Sequence, residues 1–123
     1  MKVAIKKLLV THSFIDEKAN SMTKIIVMFN LKKDVEADVY QHWAKTTDLP
    51  TVNKLKSVAH FEVLKCTGLL GSEQSSPYEY IEIIELTDQG LFFKEVATDT
   101  MKNVAEEFHT FADNPVFIVS ESL

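Results

Sequence analysis

The chain has 123 residues, 46% hydrophobic and 25% charged, with eighteen acidic against thirteen basic side chains and a formal net charge of -5. That length fits one soluble domain able to bury a core without disulfides or metal, and the acidic balance argues against nucleic-acid binding, which needs a basic surface facing the phosphates. No apolar run approaches the ~18 residues that span a bilayer, and the single cysteine, Cys66, excludes an intramolecular disulfide and suits a reducing cytoplasm.

Residues 1–21 read as an N-terminal extension, with the polar bridge "FIDEKANS" ahead of Met22. Its apolar run, Leu8 to Val10, is too short for the core of a signal peptide, so a cytoplasmic protein is expected. Residues 22–123 read as the folded domain. "KIIVMF" is apolar on both faces and β-branched, which predicts a strand. Asp34 is the expected N-cap of a helix through about Thr46, with Val35, Val39 and Trp43 at helical spacing. Pro50 is expected to break it, because the residue before proline avoids the helical region.

"HFEVLKC" reads as a second strand, "GLLGSEQSSP" as a loop and "YEYIEIIEL" as a third strand. A helical region starts at Asp88, with a break near residues 98–100. Its second part aligns Met101, Val104, Ala105, Phe108, Phe111 and Ala112 on one stripe. "VFIVS" after Pro115 is a last strand, apolar on both faces.

The order β-α-β-β-α-β predicts an α+β, ferredoxin-like fold: a four-stranded antiparallel sheet with helices on one face. The other face would expose apolar side chains of the first and last strands, a patch that soluble monomers seldom tolerate. A homodimer with two such sheets packed face to face is therefore expected.

The chemistry has few options. The glycines form no dinucleotide or phosphate loop. The four histidines (His12, His42, His60, His109) are scattered and match no zinc pattern. No GxSxG elbow presents a serine nucleophile. No cofactor and no metal are expected, and any catalysis would use side-chain acids and bases.

Three constellations qualify. Tyr40, Trp43 and Thr47 share one helix side, and the two aromatics would suit a flat ligand; Trp43 serves equally well as a core anchor. His42 beside them reads as a solvated or capping residue. If Cys66 stands opposite Tyr78, then Leu64 faces Tyr80 and Glu62 faces Glu82. Opposed carboxylates would raise one pKa and create an acid or base, with His60 on the same face. A one-residue slip turns this into two ordinary surface glutamates. Asp48, ahead of Leu49-Pro50, could act as a base at a cleft mouth or simply start a turn.

The stretch "TKIIVMFNLKKD…YQHWAKTTDLPTVNKLKSVAHFEVLKC", with its Tyr40…Trp43 pair, Asp48-Leu49-Pro50 turn and Leu55…Val58 approach, resembles the dimeric α/β-barrel superfamily over about residues 22–123. More closely, it resembles the RedY-like proteins of prodiginine (red tripyrrole pigment) biosynthesis. The resemblance implies a small dimeric protein, its ligand held between sheet and helices, in the pathway that builds the bipyrrole aldehyde. Several relatives carry histidine in an H-x-P turn, where this chain has Asp48, and cyclase-type relatives carry one where this chain reads Val96 to Thr100. Their catalytic schemes therefore do not transfer.

The expected function is cofactor-free cyclisation or condensation of a pyrrole or bipyrrole intermediate. His60, Glu62 or Asp48 would move protons, while Tyr40, Trp43, Tyr80 and Glu82 bind the ligand. The rivals are a non-catalytic binding or chaperone-like dimer for an intermediate or a pathway enzyme, and a cofactor-free monooxygenase.

Overall fold

A computed structural model describes residues 23–123; the expected extension at residues 1–21 lies outside the described residues. The elements are β1 (Thr23–Leu31), α1 (Ala37–Trp43), a π-helical turn (Ala44–Asp48), α2 (Leu49–Asn53), β2 (Val58–Lys65), β3 (Tyr80–Leu86), α3 (Gln89–Glu95), α4 (Asp99–Phe111) and β4 (Ala112–Glu121). The sheet order β2-β3-β1-β4, antiparallel at every pairing, is the ferredoxin-like arrangement.

Side chains alternate between the two faces of a strand. In β1, Val27 and Phe29 are fully buried under the helices, so Ile26 and Met28 point to the opposite face. Their direct partners follow them: Ile83 and Ile81 in β3, and Ile118 and Val116 in β4. That open face is apolar, as the strand composition implied. Val116 to Val119 are each about 39–41% exposed, so the edge strand β4 is uncovered on both sides. Asn114 takes φ +47°, a conformation asparagine tolerates, where the β1–β4 pairing is interrupted between Met28 and Asn30.

The core has two adjoining parts. One is aromatic and centred on Phe29, which stacks on Tyr80 at 5.6 Å and meets Phe108 edge-on at 5.0 Å. The other is chiefly aliphatic, with Val52, Val58, Leu86 and Met101 around Phe61 and Phe92.

Several local expectations are corrected. The first helix is capped at Glu36 rather than Asp34, without a side-chain cap, and Val39 is 54% exposed. Trp43 is buried as expected and Val35 packs against the core, and beside them runs a buried row of Tyr40, Ala44, Asp48 and Val52, one residue in four. Pro50 does not end the helix. It has no N–H to donate and its ring would strike the carbonyl of Thr46 in a regular α-helix. The preceding turn is widened: Leu49 N–H bonds Ala44 C=O, five residues back. The Thr46 hydroxyl donates to the His42 carbonyl one turn back at 2.7 Å. In α4 the stripe is Met101, Val104 and Phe108, while Ala105 is exposed. The break between α3 and α4 falls as expected, with Thr98 as N-cap accepting from Met101 N–H.

Asn53 ties the helical layer to β2. Its Oδ1 accepts from Phe61 N–H at 2.9 Å, and its Nδ2 donates to Phe61 C=O at 3.0 Å, imitating a neighbouring strand.

Candidate active site

A row repeating every four residues drifts by about 40° per step around a regular 3.6-residue helix. Over Tyr40, Ala44, Asp48 and Val52 that drift would carry the last members off the core face. The widened turn at Ala44–Asp48 unwinds the helix locally and cancels part of it. Asp48 consequently continues the row inward and is only 4% exposed. Widened turns of this kind recur at functional sites.

The opposite wall comes from β3. Tyr80, Glu82 and Ile84 alternate on the helix side because Phe29, Val27 and Ile25 of β1 face them directly. Glu82 is 6% exposed. Between these walls lies a cleft of about 240 Å³, lined by Tyr40, Gln41, Ala44, Lys45, Leu49, Val63, Lys65 and Tyr80. The Tyr80 hydroxyl accepts a hydrogen bond from Gln41 Nε2 at 2.8 Å.

Asp48 and Glu82 are hydrogen-bonded to one another in this buried layer. Burial pushes the Asp48 carboxyl up to about 7, against the opposing pull of the hydrogen bond from Glu82. Glu82 is raised well above the ordinary carboxylate range, first by burial, then by the negative charge of Asp48 and by donating to it. Near neutral pH the pair therefore retains at least one proton, and its two titrations belong to the pair rather than to either residue. Burial also raises the Tyr40 phenol, reinforced by the charges of Glu82, Asp48 and Tyr80, so it stays a neutral donor. Among the described residues, the Tyr40 hydroxyl, Trp43 Nε1 and the Oε2 oxygen of Glu82 are buried with no hydrogen-bond partner. Orphaned groups like these cost about 1–3 kcal/mol each, a burden more typical of sites than of plain cores.

Tyr40 and Tyr80 line the cleft, with ring centroids 4.8 Å apart. Trp43 does not line it; it packs on Phe111 at 5.2 Å and on Tyr40 at 6.1 Å. The β2–β3 register differs by one residue from the expected one: Lys65 stands opposite Tyr80, Val63 opposite Glu82, and Glu62 opposite Ile83. The predicted opposition of Glu62 and Glu82 is thus not formed. Glu62 and His60 lie together on the open face, with His60 Nε2 3.7 Å from Glu62 Oε2 and side chains 44% and 61% exposed. Sequence reasoning named Asp48 and Glu82 separately and missed their contact. A carboxylate within the one-in-four row Tyr40, Ala44, Asp48, Val52 was the available signal.

Among the described residues no cluster of histidine, cysteine or carboxylate side chains is arranged to hold a metal ion, and no helix is long and apolar enough to cross a membrane.

The family model described as "REDY-like protein HapK" matches residues 23–123. The crystal structure of HapK from Hahella chejuensis is similar, with a TM-score of 0.66 and 28% identity over 83% of this chain and 93% of that one. A hydroxynitrile lyase from Passiflora edulis shares the fold, with a TM-score of 0.67 and 11% identity over 85% of this chain and 95% of that one. So does a dimeric ferredoxin-like protein of unknown function from Bacteroides fragilis, with a TM-score of 0.60 and 13% identity over 83% and 97%. No curated protein matches the chain. This chain belongs to the RedY-like HapK family.

Proposed function

We propose that this RedY-like protein is a cofactor-independent acid–base enzyme of prodiginine-type pigment biosynthesis. It assists cyclisation or condensation of a small pyrrole-type intermediate bound in the cleft that Tyr40 and Tyr80 line. The observation that carries this reading is the buried Asp48–Glu82 pair beside the cleft, with at least one proton held near neutral pH. The ionised carboxylate takes a proton from the attacking carbon or nitrogen. The protonated partner, with the Tyr40 hydroxyl, delivers one to the carbonyl oxygen. The pair ends with the same number of protons it began with, so no cofactor is consumed. In this reading Glu82 takes the role first given to Glu62, and His60 and Glu62 lie outside the reacting region.

Deletion of the gene followed by metabolite profiling tests the assignment. An unreacted bipyrrole precursor should accumulate and be cleared by the wild-type gene, but not by Asp48→Asn or Glu82→Gln. Clearance by both variants would leave a non-catalytic binding role as the better reading.

We also infer a homodimer joined through the open sheet face. Ile26, Met28, Ile81, Ile83, Val116 and Ile118 share that face, and it has no covering layer among the described residues. Burying such a surface stabilises by roughly 25 cal/mol per Å². Sedimentation analysis of Ile118→Lys should show a monomer where the wild type is dimeric; a wild-type monomer at micromolar concentration would refute the inference.

A further inference from the structure

The cleft is flanked by two ammonium groups. Lys45 follows Ala44 on the π turn, and Lys65 ends β2 directly opposite Tyr80, on the same face of the sheet. Directly opposed residues bring their Cβ atoms to about 5 Å, so the Lys65 stem starts beside the Tyr80 ring. Both lysines line the cleft, and both are exposed. Among the described residues neither has a carboxylate partner, in a chain whose acidic side chains outnumber its basic ones. The inner wall at Leu49, Val63 and Ala44 is apolar, and the two tyrosines are aromatic. The cleft is thus cationic where the two lysines stand and apolar and aromatic along most of the remaining wall.

We propose that this cleft selects a small planar aromatic acid, its carboxylate held between Lys45 and Lys65 and its ring against Tyr40 and Tyr80. The proposal rests on the reading of this cleft as the ligand site and adds the charge of the ligand. The volume of about 240 Å³ suits a compact one- or two-ring acid rather than a larger ligand.

The probes are benzoate and benzamide, matched in shape and different in charge, titrated into the full-length protein by amide NMR. Benzoate should shift the amides of Lys45, Lys65 and Tyr80 saturably and bind roughly tenfold or more tighter than benzamide, a difference of about 1.4 kcal/mol. The preference should shrink in high salt, which screens exposed charges. It should vanish in Lys45→Gln/Lys65→Gln, two exposed substitutions that leave the core intact. Equal binding of the two probes, no saturable shift from either, or a benzoate preference that survives the double substitution would overturn the proposal. Glu82→Gln should retain benzoate preference while losing precursor clearance, so the ligand-charge inference and the acid–base reading fail separately.

Discussion

Glu62 and Glu82 sit on adjacent strands one register position apart, yet they inhabit opposite environments. Glu82 points under the helices, is 6% exposed and shares hydrogen with Asp48. Glu62 points to the open face, nearly half exposed, 3.7 Å from a histidine that is more exposed still. The same side chain is therefore a desolvated acid in one place and a water-facing surface group in the other. Desolvation rather than the presence of a charged neighbour separates them. A carboxylate in water is screened from its neighbours, whereas one in the core must give up its charge or acquire a partner.

Activity should separate the two glutamates most strongly. Glu82→Gln and Asp48→Asn should each slow precursor clearance by roughly 100-fold or more, while Glu62→Gln and His60→Ala stay near wild type. Metabolite quantification in complemented strains decides it. Comparable losses at Glu62 and Glu82 would collapse the distinction.

Stability against pH comes next. The folded state holds the Asp48–Glu82 protons to higher pH than the unfolded chain does. Between the ordinary Asp value of 3.8 and about 7, folding therefore retains protons that unfolding releases. The stabilisation is complete below that range and is lost as pH rises through about 7. Denaturant melts at pH 5 and pH 8 should show wild type less stable at pH 8 by roughly 2–4 kcal/mol from this pair. Glu82→Gln should flatten that slope and raise stability at pH 8, and Glu62→Gln should leave it unchanged.

Tyr40→Phe separates site cost from core packing. It keeps the ring contacts with Phe29 and Tyr80 and removes a buried hydroxyl without a partner. Thermal stability should hold or rise by about 1 kcal/mol, while clearance falls by roughly tenfold. A loss of stability would mean that the hydroxyl is satisfied in the folded protein. The smallest effect is expected on the open face: His60→Ala should change stability by less than about 0.5 kcal/mol, as measured by urea melts, because the exposed pair with Glu62 is screened by water.

A glutamate's face depends on strand register, and register is where the amino-acid pattern was least informative. "YEYIEIIEL" carries isoleucines on both parities, so its apolar residues do not declare an inner face. The loop between β2 and β3 is long enough to close at either register. The observed one is continued past the strand ends by Cys66 N–H to Glu79 C=O at 2.8 Å and is fixed from outside the hairpin by Asn30 Oδ1, which accepts from Glu79 N–H at 2.9 Å. Asn30 lies in β1, 49 residues away in sequence. Asp48 had a different obstacle. A proline two residues on argues for a helix end, and the π turn that lets the helix continue adapts to packing of the whole layer.

By itself, the sequence determined the element order, the antiparallel ferredoxin-like sheet, the break between α3 and α4 and the apolar character of both faces of β1 and β4. These follow from hydrophobic periodicity and the polar and glycine-rich breaks between apolar segments, which act within a few residues. Tertiary structure alone decided that Glu82 faces inward, that Asp48 stays on the buried row past Pro50, and that the two carboxyls meet. Those outcomes depend on strand register and helix phase, where a shift of one residue turns a side chain from water to core.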